Sequence, residues 1–247
     1  MQTSKVDNII EYQLIYSVIN IHLFIQKIHT RRLSNMAAAK TTKTKEIVIP
    51  AIDIRHFTLK LVGDSPLIMH NWNEKAKIEL SHIEDKPKTG KKELRNPVAE
   101  FIDSLYWMSG KPEQKDEEGF ERAIAEGATF GFPATGFKAS AVSGGYRSNI
   151  TKDKVSMQAA FHINGEFVQI HGKPEIREDM VKIGMGVPDV RWRGEFKEWY
   201  ALVPIRYNAS IIDEAKIANL FNYGGFAVGI GEWRPEKGGT FGMYHVE

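Results

Sequence analysis

Cysteine is absent from the 247 residues, which excludes disulfides, thiolate metal sites and a cysteine nucleophile. The eight histidines show no HExxH or other paired ligand spacing, so neither a metal nor a cofactor is expected. GxxxxGK[ST] is missing, and Gly229-Ile230-Gly231 lacks a third glycine three residues on, with Pro235 blocking a helix there. A P-loop and a dinucleotide fingerprint are thereby ruled out. An excess of charge of one sign is lacking as well: the net value is +2, so a surface for nucleic acid has to come from local clustering. Long apolar runs are lacking. "IIEYQLIYSVINIHLFIQKIHTRR" is broken by Glu11, Gln13, Asn20 and His22, too polar for a bilayer span of about 20 residues. It also has no basic start or small-residue cleavage site. A cytoplasmic protein without a membrane partner is expected.

What is present is ordinary globular material, 42% hydrophobic and 26% charged. Residues 1–46 read as an extension and linker, with "MAAAKTTKTKE" at Met36 resembling a flexible protein start and 1–35 lying upstream of it. An amphipathic helix for membrane or partner contact is the other reading of that segment. Residues 47–247 read as a single domain with an insertion at 63–129.

Along that domain, alternation of Phe57, Leu59 and Leu61 predicts a strand. Asn73 suits a cap for a helix from Glu74, and Lys86, Lys88, Lys91, Lys92 and Arg95 make a basic loop. Asn96-Pro97 starts a helix with Val98, Phe101, Ile102 and Leu105 on one face. A short strand reaches Phe132, and Thr135 is placed as the cap of a helix ending near Gly144-Gly145. Asn164-Gly165 signals a hairpin within 157–171. A strand from Trp199 to Tyr207 contains Pro204, which marks it as edge or bulged. Ser210 is placed as the cap of a last helix ending at Gly224-Gly225, followed by a strand over Phe241–Val246. With 63–129 removed, the order is βαββαβ: an α+β, ferredoxin-like (RRM-like) core whose antiparallel sheet leaves one face free.

Two stretches carry candidate chemistry. "FPATGFKASAVSGGYR" offers the hydroxyls of Thr135, Ser140 and Ser143 and the cations Lys138 and Arg147; a helix N-terminus favours anions. "VGIGEWRPEKGGTFGMYHVE" sets Gly229 and Gly231, which would let a polyanion backbone approach, beside Arg234 and Lys237. Lys152 follows the first stretch, and "RWRGEFKEWY" interleaves Arg191, Trp192 and Arg193 as single-strand binding surfaces do.

"PATGFK" with Arg147 resembles the PGSSLKGxxR signature of RAMP-superfamily proteins, and "GIGEWRPEKGGTFGMYHV" resembles their C-terminal glycine loop. Within that superfamily the layout is most similar to the CRISPR effector backbone proteins, the Cas-seven family. The sequence departs from the signature at Ala134-Thr135-Gly136 and in the distance from Lys138 to Arg147. The resemblance implies a ferredoxin-like palm, a thumb near 148–193, and head-to-tail homo-oligomers along single-stranded RNA or ssDNA, with other effector subunits as further partners. A divergent relative from a virus or mobile element fits the departures. No catalytic residue is assigned. For the alternative of a RAMP-type endoribonuclease, Asp64, His70 and Asp189 are the candidates; a self-assembling structural protein without nucleic acid is the third reading.

Overall fold

The computed structural model describes residues 20–31, 49–71, 95–183 and 186–247. The Met36 start, the linker, Trp72, the helix from Glu74 and most of the basic loop at 86–95 lie outside the described residues. The chain divides into two compact units, Met1–Pro50 and Ala51–Glu247. In the first, a helix over residues 20–31 exposes Ile21, Phe24, Ile25 and Ile28, the spacing of one helical stripe.

The second unit begins with β1 (Ile54–Gly63) and β2 (Leu67–Met69). Helix α1 (Pro97–Ser104) follows, capped as its sequence predicts: Asn96 accepts from the amides of Val98 and Ala99, with Pro97 in the first turn. Next come β3 (Trp107–Ser109), α2 (Glu117–Ala125), β4 (Thr129–Pro133) and α3 (Ala134–Arg147). The chain continues through α4 (Lys154–Ala160), β5 (Phe161–Ile163), β6 (Phe167–His171), β7 (Pro174–Ile183) and β8 (Val187–Phe196). It closes with β9 (Tyr200–Asn208), α5 (Glu214–Ala227), a 3-10 turn at Pro235–Lys237 and β10 (Tyr244–Val246).

The main sheet runs β10-β1-β9-β6-β4-β3, with β5 also on β9. Its β10-β1-β9-β6 part places last, first, third and second strands side by side, all antiparallel. That is the expected ferredoxin-like α+β fold. A smaller sheet, β2-β8-β7, holds the long hairpin. Leu59, Leu61, Ala201, Val203 and Ile205 alternate inward under α3 and α5, into a core with Phe137, Phe161 and Phe221 fully buried.

Several local expectations are corrected. Asn164-Gly165 does not close a hairpin: β5 and β6 both pair with β9, Phe161 opposite Tyr207 and Ile170 opposite Ala201, so the dipeptide is a break within one edge. Pro204 sits opposite that break, and its carbonyl accepts from Asn164 at 2.9 Å. The N–H and C=O of a strand residue point the same way, so the donor that proline lacks would face the gap. Pro204 is thus tolerated in a central strand. Residues 187–196 form a regular strand. Asp213, not Ser210, caps α5, accepting from the amide of Lys216. Neither glycine pair ends its helix. A Cβ on Gly144 would strike the Gly224 backbone, and one on Gly224 would lie 2.8 Å from Ala141 Cα; the pairs are where α3 and α5 cross at backbone contact.

Candidate nucleic-acid interface

The segment between α5 and β10 is held by its own backbone. The amide of Ile230 donates to Gly242 O, Glu232 to Ile68 O, and Gly229 to Gly224 O, at 2.8 to 3.0 Å. Gly229 and Gly231 have φ of +67° and +75°, which favours glycine. A Cβ on Gly229 would lie 2.8 Å from Pro235 Cδ, and one on Gly231 would strike the Ile68 carbonyl. The side on which a Cβ is missing is filled by the chain itself, and these three amides are already used. The glycines shape the loop; the open approach inferred for a phosphate chain is not what requires them.

Arg234 faces inward along the loop. Its Nε and Nη2 donate to Glu236 Oε2 at 3.1 and 2.8 Å, and Nη1 donates to Gly231 O at 3.0 Å. Arg147, at the last turn of α3, donates to Glu236 Oε1 at 2.7 Å. Arg234's hydrogen bonds outweigh burial and hold the Glu236 carboxyl below its ordinary value, with Arg234, Arg147 and Lys237 adding Coulombic support. Lys237 is exposed and has no ion pair among the described residues.

Helix α3 distributes the candidate hydroxyls unevenly. Pro133 occupies its cap position without a side-chain bond, so Thr135 lies inside the first turn and exposed. Ser140 is buried at the wall of a cleft and accepts from Tyr244 Oη at 2.9 Å. Ser143 is half-buried and lines a cleft. Lys138 turns to the sheet edge, where its Nζ donates to His162 Nδ1 at 3.2 Å and lies 5.7 Å from the Phe161 ring centre. Burial pulls the Lys138 ammonium below its ordinary value. Lys154 lies over the exposed Tyr146 ring at 4.6 Å, with Lys152 exposed nearby in sequence.

The cleft, of about 270 Å³, is bounded by Gly136, Ala139 and Ser143 of α3 and by residues 228–232 of the glycine loop, with His70, Tyr106 and Phe132 also lining it. The two stretches singled out in the sequence, far apart along the chain, therefore face each other. His70 Nδ1 is buried without a hydrogen-bond partner, and burial, then Arg193, Glu232 opposing, and Arg191 set a pKa below the ordinary one. Tyr106 and Glu232 were not singled out by sequence, since nothing in their local pattern places them at a cleft.

The arginine–tryptophan cluster of β8 is paired inside the small sheet. Arg193 is 4% exposed and donates to Asp179 at 3.1 Å; it is a buried ion pair, not a surface cation. Trp192 donates to Glu178 at 3.0 Å, and the Arg95 guanidinium lies 5.0 Å from its ring centre. Arg191 lies 3.5 Å from both Asp189 and His70 Nε2. Asp189 also accepts from Arg95 at 2.8 Å, and Asp64 is 2.6 Å from His245 Nδ1. Asp64, His70 and Asp189 do not form one cluster of metal-ligand type; no such group occurs among the described residues. Nor, among those residues, is any helix long and apolar enough to cross a membrane.

No family model and no curated protein matches the chain. Among solved structures, the crystal structure of Cmr6 from Pyrococcus furiosus aligns with 80% of this chain and 100% of its own, at 12% identity and a TM-score of 0.31.

Proposed function

We propose that this chain binds single-stranded nucleic acid, RNA in the first place, without cleaving it. It does so as a head-to-tail protomer of a CRISPR-effector-like backbone, with the β7–β8 hairpin as the thumb toward the next copy. The observation that carries this reading is the meeting of the two RAMP-like stretches, joined by Arg147 and Glu236 at 2.7 Å across one cleft. Arg147 and Lys237 are exposed beside it, and Lys152 and Lys154, just after α3 in the chain, are exposed as well. The carboxylates there are occupied: Asp153 accepts from the amides of Val155 and Ser156, and Glu236 from two arginines. Cations that outnumber the carboxylates in this way position a phosphate backbone without reading bases.

The test is fluorescence anisotropy with an oligouridylate of about 15 nucleotides, a length within single-strand site sizes, at low and high salt. Each phosphate contact contributes roughly 0.7 to the slope of log affinity against log salt. The Arg147→Ala/Lys237→Ala double variant keeps the Arg234–Glu236 bond and should lose about tenfold in affinity and one to two contacts from that slope. Affinity indifferent to salt and to the double variant would overturn the reading. So would a clean protein ultraviolet spectrum from an intact native filament.

Cleavage is the second reading, favoured only by His70, which lines the cleft, has one buried and unpartnered imidazole nitrogen, and whose neutral form suits a general base. Defined cleavage of labelled RNA that disappears in His70→Ala would establish it in place of passive binding.

A further inference from the structure

The main sheet contains a charge asymmetry of its own. Strands β1, β3, β4, β5, β6, β9 and β10 include not one Asp or Glu. Side chains alternate across a strand, and α3 and α5 cover the face onto which Leu59, Leu61, Val203 and Ile205 point. The opposite face presents His56, Arg206 and His162 in one cross-strand row, because His56 and His162 are both register partners of Arg206. All three are exposed. Lys138 reaches round the sheet edge to the same row, 3.2 Å from His162. Arg206 makes no ion pair among the described residues. Burial, then Lys138 and Arg206, push His162 below its ordinary pKa.

At the other end of the same face, Tyr200 is 39% exposed and stacks on His171, ring centres 4.4 Å apart and planes 5° from parallel. Lys60 stands 5.5 Å from the Tyr200 ring centre and is paired with Glu247, so the cations without an ion pair lie at the other end of the face. Leu202, 46% exposed, lies between the platform and the row. Tyr200 and Arg206 are separated by about 20 Å of extended strand.

We propose that this open face is a second track for single-stranded nucleic acid, separate from the rim formed by α3 and the glycine loop. A base stacks on the Tyr200–His171 platform, and phosphates lie over the His56–Arg206–His162 row with Lys138. An aromatic shelf at one end and unpaired cations at the other suit a ligand that alternates flat rings with anions, rather than an anion alone. The inference rests on the nucleic-acid reading above and extends it to another surface.

The experiment measures the same oligouridylate against Tyr200→Ala, Tyr200→Phe and Arg206→Ala, with circular dichroism confirming that each variant folds, and with inorganic polyphosphate as a ring-free probe. Tyr200→Ala should weaken oligouridylate binding by about tenfold, Tyr200→Phe should restore it, and polyphosphate should ignore both. Arg206→Ala should reduce the salt slope by about one contact. If the sheet variants bind like wild type while the Arg147→Ala/Lys237→Ala variant is impaired, this inference falls and the loop-rim reading stands. If the reverse is found, the sheet track stands and the rim assignment falls. If wild type binds no strand at low salt, both are overturned.

Discussion

The two sheets of the domain handle charge in opposite ways. In the small sheet most of the basic residues meet carboxylates of the same hairpin. Arg177 bonds Asp179 and Glu195 at 2.9 and 2.7 Å, Arg193 bonds Asp179, and Lys197 bonds Glu175. In the main sheet the strands have no carboxylate, and the cations of the open face lie among histidines and an aromatic pair. The dense "RWRGEFKEWY" run is the more conspicuous string, yet it is largely self-neutralised. In the main-sheet strands Arg55 and Lys60 pair with Asp53 and Glu247, outside the strands, and Arg206 is the cation left without an ion pair among the described residues. Counting arginines in a string therefore misjudges a binding face unless the residues across the strand are known.

Three perturbations sharpen that contrast. The largest effect is expected from Asp179→Ala, which would strand Arg193 in the interior at 4% exposure. Breaking such a buried pair costs about 3 kcal/mol or more, seen as a lower midpoint in urea denaturation, with the salt slope for oligouridylate unchanged. A smaller effect is expected on acidification. The Glu236 carboxyl is held below its ordinary value of 4.5, so its contribution to stability is present above that pH. It is lost as pH falls through the lower folded value. Thermal melts from pH 6 downward should show this component, and Glu236→Gln should abolish it. The smallest effect is expected from Arg206→Ala. An exposed, unpaired residue of this kind changes stability by no more than about 0.5 kcal/mol, although the same change is expected to weaken strand binding. A melting loss comparable to that of Asp179→Ala would show that the main sheet's cations are structural after all.

The fold was largely readable from residue patterns. Alternation in β1 and β9, the Asn96-Pro97 helix start and the two amphipathic helices placed the ferredoxin-like core in the right order. Helix α2 was hidden behind a polar stretch, although Asp116 as its cap and the apolar residues Phe120 and Ala123 marked it. The candidate site was readable in part. The stretches at 134–147 and 228–237 were singled out separately, but their contact through Arg147 and Glu236 depends on how α3 and α5 cross. Ser140, Arg193 and Arg234 have the right chemistry for phosphate, but they are bonded to Tyr244, Asp179 and Glu236.

The sequence by itself determined the element order, the absence of thiol chemistry and the two unusual glycine-bearing stretches. These follow from local rules: side-chain period, capping and the φ preferences of single residues. Only the tertiary structure decided why the glycines are there. Gly144 and Gly224 let two helices touch, and Gly229 and Gly231 let a loop fold on itself. Likewise only cross-strand register gathered His56, Arg206 and His162 into one row. Close approach and charge pairing are properties of neighbours in space, and residues far apart in the chain become neighbours only when the sheet forms.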